Sequence, residues 1–125
     1  AYAPTTRLRA DADGTPTDSM VEYYRRRAEN NGGLLIVEAT APHASMGIIP
    51  FSPILYTDKQ VTAFKRIVDA VHSEGTAIGI QMWDIGRAGY AASLKKAGYP
   101  LHGPSALYFS EENERKAIAA NNEKK

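Results

Sequence analysis

Three side chains stand out for what they could do together: Thr6, Gln81 and Trp83. Gln81 and Trp83 are two apart in GIQMWDIGRAG (residues 79–89). On an extended strand they therefore share a face, with the tryptophan one pleat beyond the amide. A glutamine side chain donates and accepts at once, which matches the alternating groups along the edge of a flavin or a nucleobase. The indole adds an apolar wall and one N–H. Thr6, in PTTRLRA (residues 4–10), offers a hydroxyl, and Ala39, in LLIVEAT (residues 34–40), is small enough to let a ring approach the backbone. Such a set can hold a planar heteroaromatic and adjust its electronics, which is the protein's usual task toward a cofactor. Taken singly, each has a plainer reading: a strand-end glutamine is often a local hydrogen-bonding residue, a lone tryptophan is often core, and a threonine is often a cap.

Other chemistries are excluded more firmly. Cysteine is absent, which removes disulfides and thiolate catalysis. His43, His72 and His102 lack metal-ligand spacing, so no metal site is expected. There is no G-x-G-x-x-G, P-loop or G-x-S-x-G, and no nucleophile–base pair at a strand end. With 15 basic and 14 acidic residues the net charge is +1, which gives no field to draw nucleic acid or an anionic membrane. The one basic cluster, Arg25–Arg27, is flanked by Glu22 and Glu29, and Glu22 stands four before Arg26, the order of a helical ion pair. No apolar run is long enough to span a bilayer, and the N-terminus lacks a secretory pattern. A cytoplasmic location is the expectation.

The elements that must position these groups alternate. The apolar start runs into Pro4 and reads as the end of a strand; DADGTP (residues 11–16) is a turn. Thr17 is placed to cap a helix of about four turns with a stripe of Met20, Val21, Tyr24 and Ala28, ending at Asn30-Asn31-Gly32-Gly33. LLIVEAT reads as a strand buried on both faces. Residues 41–56 form a loop long enough to suggest a function. TDKQ (residues 57–60) is a capping box ahead of a stripe of Val61, Phe64, Ile67, Val68 and Val71, and Gly75 closes that helix. Residues 76–83 form another strand, with Ile78, Ile80 and Met82 on the face that packs under helices. Strand, helix, strand, helix, strand predicts a parallel α/β sheet whose ligands sit outside the carboxyl ends of the strands. After Trp83 about 25 residues read as loop, and the end of the chain, with four acids and four bases after Ser110, as a short helix or tail.

These stretches resemble, in order, the N-terminal portion of the Old Yellow Enzyme family, its yeast-type branch in particular. PTTRLRA is similar to the family's first strand and PTDSMVEYYRRRA (residues 16–28) to its first barrel helix. LLIVEAT resembles the second strand, YTDKQVTAFKRIVDAVHSEG (residues 56–75) the second helix, and IQMWDIGRAG (residues 80–89) the third strand and its loop. ERKAIAANNEKK (residues 114–125) is similar to the stretch before the third helix. The resemblance implies an FMN-dependent NAD(P)H oxidoreductase of the ene-reductase type, passing hydride from reduced flavin to an activated alkene such as an enone. It implies a partial TIM (β/α)8 barrel, roughly the first three strands and two helices, with residues 1–125 as one N-terminal segment and residues 84–125 mostly loop and tail. By position, Pro4, Thr5 and Thr6 would lie against the flavin with the Thr6 hydroxyl tuning it. Ala39 would contact the ring through its backbone, Gln81 would bond its pyrimidine portion, and Trp83 would shape the substrate pocket. Asp84 stands where many members have histidine or an apolar residue, and Met82 where leucine is common.

A complete barrel takes about 250 residues. The family's proton donor, its substrate-binding His/Asn pair and its phosphate-gripping residues would all lie after Lys125, so no catalytic residue is expected within this chain. Two readings follow: a flavoenzyme segment that works as part of a longer chain or with a second chain completing the barrel, or an inactive remnant that at most associates with another polypeptide.

Overall fold

The computed structural model describes residues 1–30, 32–46, 49–89, 91–101, 103, 110–112 and 115–116. Its elements run α1 (Asp18–Ala28), β1 (Leu34–Thr40), α2 (Asp58–Ser73), β2 (Ala77–Met82), a 3-10 turn (Gly86–Ala88) and α3 (Ala91–Lys96). β1 and β2 pair in parallel, and both helices that connect or precede them lie against one side of the pair. The core between the layers is built from Met20, Tyr24 and Ala28 of α1, Leu35 and Val37 of β1, and Phe64, Ile67 and Val71 of α2.

α1 forms because its buried residues recur every four positions while Asp18 and Arg25–Arg27 complement the two ends of the helix dipole. It runs three turns and not four. Thr17 holds the cap position, but its hydroxyl donates to Arg9 O at 2.8 Å and meets Ser19 Oγ at 2.9 Å, so it makes no cap bond. The loop that precedes the helix has taken the hydroxyl. The basic cluster is spent on partners: Arg25 reaches Glu22, Glu29 and Glu74, Arg26 reaches Glu22, and Arg27 lies over the Tyr23 ring.

α2 begins with the expected capping box, in which Thr57 Oγ1 accepts from Gln60 N and Gln60 Oε1 accepts from Thr57 N. Gln60 does more than cap. It also takes the N–H of Tyr56 and gives its amide to Asp13 O, tying the N-terminal turn to this helix. The buried stripe is rotated from the expected one: Ala63 joins Phe64, Ile67 and Val71 inside, while Val61 is 53% exposed and Val68 half-buried. Val61 and Val68 lie instead along a groove that Leu55 and Phe64 share.

A third strand at the N-terminus does not appear among the described residues. A single parallel bridge joins Tyr2 to Leu35, with Tyr2 N donating to Leu34 O and Ile36 N to Tyr2 O. Pro4, which has no N–H, cannot carry the ladder further. The long loop of residues 41–56 is drawn in by a second bridge, Ala41 to Ile54. Ile54 N donates to Gly14 O, and Gly14 has φ +75° with a hypothetical Cβ only 2.6 Å from Ile54 Cγ1, so that contact needs glycine.

Beyond Trp83 the chain is more ordered than its glycines suggest. α3 buries Leu94, and Tyr99 returns its N–H to Leu94 O and its ring to His43. The short AASLKK run favours helix, but with glycines at 86, 89 and 98 it is too brief to show a period. In the terminal stretch, residues 111–112 and 115–116 are helical. Residues 117–125, His102 and Pro104 lie outside the described residues.

Candidate functional site

Gln81 and Trp83 lie at the carboxyl end of β2 beside that of β1, which carries Ala39, and the segment with Pro4, Thr5 and Thr6 meets β1 where Arg7 N–H reaches Glu38. The register relates Ala39 to Gln81. Val37 pairs with Ile80, yet Thr40 pairs with Met82, so β1 carries one residue more than β2 between these points. Strict alternation from Leu35 and Val37 would place Ala39 on the helix-packed side. The extra residue shifts the phase, so that one step back from Thr40 and Met82 Ala39 comes level with Gln81. Bulges of this kind re-aim side chains and occur often beside functional sites. Trp83 N donates to Thr40 O at 3.1 Å and extends the pairing past the end of β2.

Ala39 is 6% exposed, and Gln81 is exposed beside it. Trp83 and Pro4 are half-buried; Thr5 and Thr6 are exposed. Thr5 Oγ1 reaches only its own segment, at Ala3 O. Among the described residues, the Thr6 hydroxyl, the Gln81 amide and the Trp83 indole N–H make no internal hydrogen bond. They are uncommitted donors and acceptors on the segments that adjoin buried Ala39 in the chain or in the sheet. That donor set fits the edge of a planar heteroaromatic, FMN included, and among the described residues it contains no nucleophile–base pair.

Sequence reasoning passed over the residue that holds this edge together. Glu38 is 1% exposed. Its Oε2 accepts the N–H of Arg7 at 2.8 Å, and its Oε1 accepts the hydroxyl of Tyr24 at 3.0 Å. The Tyr24 oxygen in turn accepts Glu38 N–H at 3.0 Å. Burial, ahead of any other cause, pushes the Tyr24 hydroxyl far above its ordinary range, so it remains a donor. A single carboxylate inside the apolar run LLIVEAT was the available signal, since a buried charge requires dedicated partners.

Asp84 is exposed and accepts Gly86 N–H at 2.7 Å, which closes the turn after β2. His43 pairs through Nδ1 with Ser45 Oγ and rests against Tyr56 and Tyr99. Among the described residues no cluster of His, Asp or Glu could hold a metal ion, and no helix is long and apolar enough to cross a membrane.

A hollow of about 920 Å³, open to solvent, lies elsewhere, between the N-terminal loop and the first turns of α1 and α2. Two of its cations, Lys59 and Arg66, are paired with Asp13 and Asp18. A second, apolar groove of about 220 Å³ runs between α2 and β2, lined by Leu55, Phe64, Val68, Ile78 and Ile80. The strand-end residues line neither.

Comparison with known proteins places the chain. The sequence model of the NADH:flavin oxidoreductase / NADH oxidase family matches residues 1–124. The protein named "Probable NADPH dehydrogenase" of Candida albicans is 42% identical over 123 residues, 98% of this chain and 30% of its own length. Among solved structures, Old Yellow Enzyme from Pichia sp. AKU4542 superposes with a TM-score of 0.88 at 50% identity, covering 97% of this chain and 31% of that one. The Old Yellow Enzyme homologue from Zymomonas mobilis gives 0.68 at 41% identity over 74% of this chain and 25% of its own. The chain thus spans about 30% of the length of the curated relative it matches.

Proposed function

The chain belongs to the NADH:flavin oxidoreductase / NADH oxidase family, and we propose from that premise that it supplies one edge of the flavin site of an FMN-dependent NAD(P)H oxidoreductase of the ene-reductase type. Its two parallel strands, N-terminal bridge and first two helices are then the opening portion of a (β/α)8 barrel. When bound, FMN supplies the hydride chemistry between NAD(P)H and an activated alkene such as an enone.

The chain's own residues bind and orient. Gln81 gives and takes hydrogen bonds along the pyrimidine portion, and Ala39 lets the ring come close to the backbone of β1. Pro4 and Thr5 flank the ring, and the Thr6 hydroxyl donates to it. A donor at that place stabilises the more negative, reduced form and raises the potential. Trp83, one pleat beyond Gln81, walls the space where a substrate would lie and keeps water from it. The observation that carries this reading is that three polar side chains without internal partners stand on the two segments flanking the end of β1, where Ala39 is buried.

The proton donor and the phosphate grip come from polypeptide outside these 125 residues, whether continuous with them or on a second chain. The apolar groove between α2 and β2 supports that requirement, since it offers a surface for a further strand–helix unit. It equally suits the second reading, an inactive piece that only associates with another polypeptide. Anaerobic mixing of the flavoprotein containing this chain with NADPH and then cyclohexenone tests the first reading. Bleaching of the flavin absorbance by NADPH and its return with the enone are expected. A protein that takes up no flavin, or whose flavin NADPH does not bleach, leaves the second.

A further inference from the structure

We propose that Glu38 is a positioning residue that fixes Thr6 relative to Ala39, and so sets the geometry of the flavin-facing edge. The inference rests on the flavin reading above and deepens it.

The N-terminal segment and β1 begin as ladder partners, with Tyr2 N–H to Leu34 O and Ile36 N–H to Tyr2 O. Amides on one side of a strand recur every second residue, so the next one facing the N-terminal segment is that of Glu38. It finds no backbone partner there, because the chain leaves the ladder at Pro4; it donates to Tyr24 Oη instead. The segment carrying Thr5 and Thr6 would be loose from this point. It is recaptured by a side chain: Glu38 Oε2 accepts Arg7 N–H at 2.8 Å.

One residue thereby touches both halves of the edge. Its backbone immediately precedes Ala39, and its carboxyl group holds the amide immediately following Thr6. The group cannot swing away, because it is 1% exposed and Tyr24 Oη, from α1, holds the other oxygen at 3.0 Å. Arg7 and Glu38 also line a small, partly open space with Met20 and Tyr23, so the clamp sits against the helix layer. Sheet pairing stops where the ligand edge begins, and Glu38 replaces it with a bond that leaves the Thr6 hydroxyl free.

The test uses the FMN-loaded flavoprotein containing this chain, with the flavin midpoint potential as the readout and amide hydrogen exchange at Arg7 in the apoprotein as a second. Glu38→Gln places an amide NH2 against one of two donors, Arg7 N–H or Tyr24 Oη, and loosens the clamp. The expected results are a potential displaced in the same direction as in Thr6→Val, a double variant displaced no further than the larger single one, and Arg7 exchange faster by about fivefold or more. A purely structural role would lower the melting temperature and leave the potential alone. A wild-type potential in folded Glu38→Gln, or displacements that simply add, overturns the proposal. If Glu38→Gln does not fold, Tyr24→Phe releases the same carboxyl group from its far side, and an unchanged potential there overturns it equally. Failure of the wild type to take up FMN overturns the underlying flavin reading itself, an outcome distinct from a bound flavin that ignores Glu38.

Discussion

Thr6, Gln81 and Trp83 differ from the polar residues around them in having nothing internal to bond, and Glu38 differs in having everything. On the proposed flavin reading, that contrast separates groups kept for a ligand from groups that hold the edge. Strand parity is the sequence's reason for expecting Gln81 and Trp83 on one face. It failed for Ala39, whose level with Gln81 depends on an extra residue in β1 that no periodicity announces. It passed over Glu38, whose partners are 14 and 31 residues away. The Tyr24–Glu38 pair carries a direct consequence for stability. Tyr24→Phe leaves the buried Glu38 N–H and one carboxyl oxygen without a partner. It is expected to cost about 1–3 kcal/mol in urea denaturation, whereas a phenylalanine that merely repacked the core would cost nearly nothing.

Among the elements, α2 was the most legible because capping box, stripe and terminal glycine all agree, and the structure keeps the box, the terminal glycine and most of the stripe. What sequence could not supply was the rotation of the stripe, since which of Ala63 and Val61 turns inward depends on where β2 and the N-terminal turn lie. Thr17 shows the converse: the right residue at the right position spent its hydroxyl on Arg9 O. Gln60 joins three partners across the α2 start and the turn at Asp13, so Gln60→Ala is expected to lower stability by about 1–2 kcal/mol, read as a shifted denaturation midpoint with an unchanged slope. The same turn carries a pH dependence. A hydrogen bond from Lys59, helped by Thr15, brings the Asp13 carboxyl to about 2 from its ordinary 3.8. Hydrogen bonds from Arg25 and then Arg26 bring Glu22 to about 2 from 4.5. Both are depressed on folding, so their stabilisation is complete above the unfolded values and fades as pH falls through about 2. Both lie largely in solvent, so the effect is modest. The urea midpoint should fall between pH 4.5 and 2, and Asp13→Asn should flatten part of that fall.

At the scale of the whole molecule, the α/β alternation was readable and the strand count was not, because Pro4 reduces the first strand to one bridge and the glycines after Trp83 conceal α3. One flank of the molecule is apolar and open. Val61 and Met82 stand 53% and 44% exposed along the α2 and β2 flank, next to an apolar groove. Such a surface in an isolated chain should bind the dye ANS and self-associate, and on the proposed reading dye binding should be weaker in the complete flavoprotein. The central claim, that this strand-end edge holds FMN, is met most directly by titrating FMN into the apo-flavoprotein containing this chain, with and without Gln81→Leu. Gln81 is exposed and unpartnered, so the substitution should leave apoprotein stability within about 0.5 kcal/mol. Loss of its bonds to the ring should weaken FMN binding about tenfold. An unchanged affinity in the stable variant would contradict the account.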